Sequence, residues 1–189
     1  RPERMREWVR NTRSLHVVLQ HWKKSSAGQN TWPLPNVWLG TSVEDQQTAD
    51  ERIPPLLQTP AAVRFVSAEP LLGPIGLARH FPHTHGLRND RFWLIAGGES
   101  GPGARPAHPE WFRSLRDQCR AAGVPYFFKQ WGEWGPDTGE TTTTDPRFDK
   151  LLAAPTANDG DNTVYRMGKR AAGHLLDGQV WQQFPAAAP

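Results

Sequence analysis

One cysteine, Cys119, is the only thiol in these 189 residues. That excludes an intramolecular disulfide and any CxxC pair, and it fits expression in a reducing compartment. No stretch approaches the ~20 consecutive apolar residues of a membrane-spanning helix. No signal peptide is visible, so a cytoplasmic protein with no membrane partner is expected. The chain opens on Arg1 rather than Met, which leaves room for a segment upstream. Neither charge sign dominates: 22 Lys and Arg against 19 Asp and Glu give +3, mildly basic and compatible with a nucleic-acid partner without requiring one. Also missing are a Walker loop, a nucleophile elbow, a zinc-helix motif and an EF-hand loop.

Nine Trp and eight Phe offset a hydrophobic content of only 37% by supplying large buried area per residue. The length fits a single domain spanning 1–189. Pro (18) and Gly (17) are frequent enough to demand many turns and an irregular segment.

Four short apolar runs end on polar or charged residues: VWLGTSVED (Val37 to Asp45), VRFVSAEP (Val63 to Pro70), FWLIAGGES (Phe92 to Ser100) and VPYFFKQWGEW (Val124 to Trp134). Runs bounded by breakers and separated by helical stretches read as buried parallel strands. A helix is expected over Arg4 to Lys24, with Leu15, Val18, Leu19 and Trp22 on one face. A second opens at Gln46 behind a capping box formed by Ser42 and Asp45, and Pro54 and Pro55 break or restart it. A third runs from Pro109, at a first helical position, to a stop at Gly123, with Cys119 on its apolar stripe as a packed small residue. Residues 135–162, rich in Thr, Asp, Pro and Gly, read as a flexible loop, and a short helix over Lys169 to Leu176 follows. The fold expected is α/β, a partial TIM-barrel-like parallel sheet of about four strands with flanking helices and a C-terminal tail.

In parallel α/β folds, sites lie at the carboxyl ends of the strands. That places Glu44, Glu69, Glu99, Lys129 and Gln130 as candidates to bind a polar small molecule. Gly97 and Gly98, in a Gly-rich loop between a strand and a helix, are candidates to approach a ligand through backbone amides. Glu99 suits an ammonium, a hydroxyl pair or an arginine. Glu69 is either a ligand-binding group or a structural partner of Arg64, Arg105 or Lys129. Glu44 is either of these or an acid favoured by a helix dipole. Lys129 closes an apolar run, where a lysine is costly unless paired; it has either a catalytic or anion-binding role or a salt bridge to one of the three glutamates. The run from His80 through His83 to His85 has chelating spacing but no cysteine or carboxylate within it, so no metal site is expected. Arg4, Arg6, Arg10 and Arg13 form either a solvated helix face or a phosphate-contacting patch, with Lys169 and Arg170 as further phosphate candidates.

Taken together, WLGTSVED, RFVSAEPLLGP, GGESGPGARP, HPEWFRSLRDQCRAAGVPYFFKQWG and GKRAAGHLLDG resemble a phage- and prophage-associated family of unknown function related to radical S-adenosylmethionine enzymes. The likeness runs from Arg1 to Pro185. It implies a TIM-barrel-like fold and, in longer relatives, a 4Fe–4S cluster held by three cysteines of an N-terminal loop, with S-adenosylmethionine beside it. This sequence lacks that loop. It therefore resembles the C-terminal half alone, a fragment or a reduced form, not competent for radical chemistry by itself. The strand at Val37 to Val43 would then be an open edge unless an N-terminal segment or another chain pairs with it. The Gly97-Gly98-Glu99 triplet resembles the motif that holds the amino group of S-adenosylmethionine, but it follows a late strand here and an early one in those enzymes. The resemblance leaves two expectations for function: strand ends that bind a small polar substrate, or a nucleic-acid-binding module of a mobile element.

Overall fold

The computed structural model describes residues 2–11, 32–81, 88–136 and 163–186. Four strands form one parallel sheet: β1 (Trp38–Ser42), β2 (Val63–Ala68), β3 (Phe92–Gly97) and β4 (Tyr126–Gln130), in the spatial order β1-β2-β3-β4. Helix α1 (Pro2–Arg10) precedes them, α2 (Gln46–Leu57) connects β1 to β2, and α3 (Pro109–Ala122) connects β3 to β4. The expected α/β class and strand number are thus observed. The register runs straight across: Thr41 opposite Val66, Val66 opposite Leu94, Leu94 opposite Tyr126.

Side-chain alternation gives the sheet two unlike faces. Val66, Leu94, Ala96, Tyr126 and Phe128 are buried in one cluster with Ile53 and Leu56 of α2 and Phe112, Leu115 and Cys119 of α3. On the other face Trp93 gathers the rings of Trp38, Phe65 and Phe127 at centroid distances of 6.0, 6.4 and 5.7 Å. These rings stay partly or largely exposed.

Helix α1 packs on α2, burying Val9, and Arg6 Nη1 donates to Gln58 Oε1 at 2.8 Å. The helix expected as far as Lys24 is observed only to Arg10, and the remainder, with Arg13, lies outside the described residues. The cap of α2 differs from the expected one. Asp45 is itself the N-cap, accepting from Thr48 N at 2.8 Å, while Thr48 Oγ1 accepts from Asp45 N at 3.0 Å. Ser42 cannot play that part because β1 claims it, opposite Ser67. Pro54 and Pro55 do not break the helix, which continues to Leu57. Their missing donors fall near its end, where burial of Ile53, Leu56 and Leu57 holds the last turn in place. Gly123 ends α3 in the left-handed region at φ +66, as expected.

Past β4 the chain departs from the expected pattern. Gly135 and Pro136 belong to a strand, β5 (Trp134–Pro136), paired antiparallel with β6 (Val164–Arg166), and the rest of the expected loop lies outside the described residues. The expected helix over Lys169 to Leu176 is only one turn, α4 (Lys169–Ala172). Leu175 and Leu176 instead form β7 (Leu175–Leu176) of a hairpin with β8 (Gln179–Val180). Asp177 and Gly178 make its turn, both at positive φ, which is the two-residue geometry that Asp-Gly favours. The tail then closes the outer edge of β4: Phe128 N donates to Trp181 O (2.8 Å) and Gln183 N to Tyr126 O (3.1 Å). At the other edge, β1 has no further strand beside it among the described residues.

Candidate functional site

Because β1 to β4 run parallel, the residues after each strand share one edge. Glu69 directly follows β2. Lys129 and Gln130 end β4, where a register shift opposite Ala96 and Gly97 leaves Lys129 as an extra residue. Lys129 faces outward, as strand alternation dictates, while Gln130 stays buried. Glu69 joins both: Lys129 Nζ donates to Oε2 at 3.0 Å, and Gln130 Nε2 donates to Oε1 at 3.3 Å. Gln130 Nε2 also donates to Ser100 Oγ at 3.2 Å. Of the three cations expected as structural partners for Glu69, Lys129 is the one it meets. The ammonium is half exposed, so it is not the desolvated lysine that its apolar run suggests.

The Gly-rich loop serves chain crossing. A Cβ on Gly98 would stand 1.8 Å from Trp131 O, and one on Gly132 would stand 2.1 Å from Glu99 O. No side chain fits either place, because the segments leaving β3 and β4 touch backbone to backbone there. Gly98 N donates to Gln130 O (2.9 Å) and Glu133 N to Glu99 O (2.8 Å). Gly97 has a milder constraint, since a Cβ there would approach Glu69 Oε1 to 3.1 Å. Gly101 N is taken by Glu133 Oε1 at 3.2 Å. Gly97 and Gly98 thus let the segments leaving the strands come together, and the Gly98 amide is engaged by Gln130 O.

Glu99 and Glu44 are each committed to an arginine. Arg105 grips Glu99 through Nε and Nη2, both at 2.8 Å, and adds its backbone N–H at 2.8 Å. Those hydrogen bonds push the Glu99 pKa down to about 2. Arg52 Nη1 meets Glu44 Oε2 at 3.0 Å beside a cavity of ≈ 570 Å³ lined by Gly40, Thr41, Ser42, Arg52 and Phe65. The sheet therefore brings Glu69, Lys129 and Gln130 together and leaves Glu44 and Glu99 outside that group.

Beside Lys129 and Gln130 lies a cavity of ≈ 600 Å³, also lined by Lys169, Arg170, His174 and Gln182. Trp131 ties its far wall to β4, donating through N to Gly173 O (3.1 Å) and through Nε1 to Leu175 O (2.8 Å). Among the described residues, Lys169, Arg170 and His174 make no ion pair, and Lys129 pairs only with Glu69. The cleft is rich in donors and poor in acids, an arrangement that attracts anions. Ser100, His174 and Gln182 carry no local sequence signal; only the Gly-Lys-Arg run at 168–170 marks this wall.

Other candidates are placed elsewhere. His80 is buried, its Nε2 2.7 Å from Asp50 Oδ1, so it anchors the crossover segment to α2; His83 and His85 lie outside the described residues. No group of three His, Cys, Asp or Glu residues suited to a metal occurs among the described residues. Arg4 and Arg10 are exposed on α1, interleaved with Glu3 and Glu7. No described helix is long and apolar enough to cross a membrane.

A family model described as "Protein of unknown function (DUF5131)" matches residues 1–185. The chain belongs to that family. No curated protein and no solved structure matches it. The family match spans the same stretch as the likeness seen in the sequence and assigns no activity.

The residues present do not fit the cofactors that the resemblance implies. Cys119 is fully buried in the α3 stripe, where desolvation pushes its thiol pKa far up, and one thiolate cannot hold a 4Fe–4S cluster. Glu99 of the Gly-Gly-Glu triplet is saturated by Arg105, and its neighbour Gly98 is packed against Trp131 O, so the triplet offers no seat for an ammonium.

Proposed function

We propose that the carboxyl edge of the sheet binds a small polar molecule through an anionic group. Its seat is the cleft between the end of β4 and α4. The observation that supports this reading is one cavity of ≈ 600 Å³ lined by Lys129, Lys169, Arg170 and His174, with no carboxylate among its described lining residues and with Glu69 beside it already engaged by Lys129. Glu69 fixes the Lys129 ammonium, which keeps further N–H donors, so this cation stands preorganised before a ligand arrives; the two N–H groups of Gln130 are spent on Glu69 and Ser100 and hold Glu69 in place. Lys169 and Arg170, exposed and mobile by side-chain type, supply long-range attraction. The reading is one of binding.

The test is calorimetric titration of phosphorylated and carboxylated small molecules into wild type, Lys129→Met and Glu69→Gln. Lys129→Met is expected to weaken binding by about 10-fold or more, the worth of one charge-assisted hydrogen bond. Glu69→Gln is expected to weaken it less, by loosening the lysine. Unchanged affinity in both variants, with folding intact, would reject the site.

A nucleic-acid reading draws on Arg4, Arg10 and the exposed Trp8 of α1, with Lys169 and Arg170 as further phosphate contacts. Glu3 and Glu7 offset the charge of that helix, which makes it the weaker reading. It requires oligonucleotide affinity that falls as salt rises. The phage association and the kinship with radical S-adenosylmethionine enzymes rest on sequence likeness, and the cytoplasmic location rests on the single cysteine and the lack of a visible signal peptide. Thiolates for a cluster would have to come from outside these 189 residues, in a longer protein or a partner chain.

A further inference from the structure

At the opposite, amino end of the sheet, the segments entering β1, β2 and β3 enclose a second basic cavity. It measures ≈ 310 Å³ and is lined by Pro33, Pro60, Ala61, Arg64, Arg88 and Arg91. Three guanidinium groups converge there. One has a carboxylate: Arg88 grips Asp90 through Nε at 2.9 Å and through Nη2 on the other oxygen. Arg64 donates through Nε to Thr59 O at 2.9 Å and has no acidic partner. Burial without a counter-ion pushes its pKa down. Arg91 is more telling, because its Nε is buried and finds no hydrogen-bond partner among the described residues. A buried, unpaired donor on a permanent cation is costly unless something accepts from it.

We propose that this cavity is a binding site for a phosphate group, carried on a small monoester or arriving as the free ion. Arginine forks match phosphate oxygens in geometry as well as charge, which a lysine cluster would not. Among the described residues the three arginines face one carboxylate, Asp90, which is hydrogen-bonded to Arg88 and also feels the Arg91 charge; the cluster is left two positive charges in excess, the right number for a dianion. Pro33, Pro60 and Ala61 form an apolar wall that can take a small organic remainder; the volume lies near ~300 Å³, the lower end for small-molecule pockets. This site is independent of the carboxyl-edge cleft and shares no residue with it.

The test follows the arginine Nε–H signals of the ¹⁵N-labelled full chain while inorganic phosphate or phenyl phosphate is added at constant ionic strength, with chloride as control. The Arg91 and Arg64 signals are expected to shift saturably with the phosphate probes, not with chloride, and to do so equally in Lys129→Met. Tighter binding of phenyl phosphate assigns the ligand to monoesters; equal affinities assign it to the free ion. Followed at Arg64, the response in Arg91→Gln should weaken by about 10-fold or more. Arg91→Lys, which keeps the charge but loses the fork, should fall between and carries the test if Arg91→Gln does not fold. No saturable shift at Arg91, an equal shift with chloride, or full-strength binding in the Arg91 variants would overturn the proposal.

Discussion

Glu99, a candidate to bind a ligand by its place after a strand, is held by an arginine of the same loop. Three hydrogen bonds from Arg105 hold it ionised, with its pKa near about 2 instead of 4.5. A depressed carboxyl pKa adds stability that is fully present above the ordinary value and is lost as pH falls toward the folded one. The denaturation midpoint of the wild type is therefore expected to drop as pH is lowered from about 4.5 toward about 2. Glu99→Gln should lower the neutral-pH midpoint and flatten that part of the profile, read by urea titration at a series of pH values. A Glu99→Gln profile parallel to wild type through this window would show that Arg105 contributes nothing to the acid limb.

Among the elements, the C-terminal tail has the most leverage for its size. Trp181 packs against the core cluster, edge-on to Tyr126, with Arg116 and Arg120 over its ring at 5.4 and 5.8 Å, and its carbonyl takes the Phe128 amide. Asp177, in the preceding hairpin turn, is held by Arg113 Nε (2.8 Å) and Arg116 Nη1 (2.6 Å), so α3 grips both the hairpin and the tail. Trp181→Ala is expected to cost about 2 kcal/mol, less than a fully buried Trp because this one is half-buried. It should also raise hydrogen exchange at the Phe128 amide. Little of this clip was legible in advance. β1 to β4 and α3 announce themselves because each carries its own periodic apolar pattern, and α2 is marked by its cap. β5 and β6 are three residues each and find each other across a long separation, which no local pattern encodes. The Asp177-Gly178 turn did carry a signal, hidden because Leu175 and Leu176 read as the end of a helix. At the site the strand-end rule found Glu69, Lys129 and Gln130. It could not foresee that Arg105 and Arg52 would claim Glu99 and Glu44, because those pairings depend on the path of loops.

Across the whole molecule the sheet is asymmetric in both directions. One face is covered by α2 and α3; the other shows a ring cluster centred on Trp93. One edge is closed by the tail; the other, β1, has no strand beside it among the described residues, as the sequence led one to expect. An unpaired edge next to partly exposed rings favours association with other chains. Trp38, at the start of β1 and 37% exposed, sits at that junction. Trp38→Glu is expected to shift sedimentation velocity profiles of concentrated protein toward the monomer without altering the far-ultraviolet spectrum. Indistinguishable profiles would mean this corner is not used for association.

The tail's last hydrogen bond carries a practical lesson. Ala186 N donates to Asp90 O at 3.0 Å, and Asp90 is the acid that occupies Arg88. Anything fused downstream of position 186 therefore sets out from the doorstep of the three arginines and at the far end from Lys129. An affinity handle placed there would leave the carboxyl-edge cleft accessible and crowd the other cavity, so phosphate titrations call for a handle that has been cleaved off.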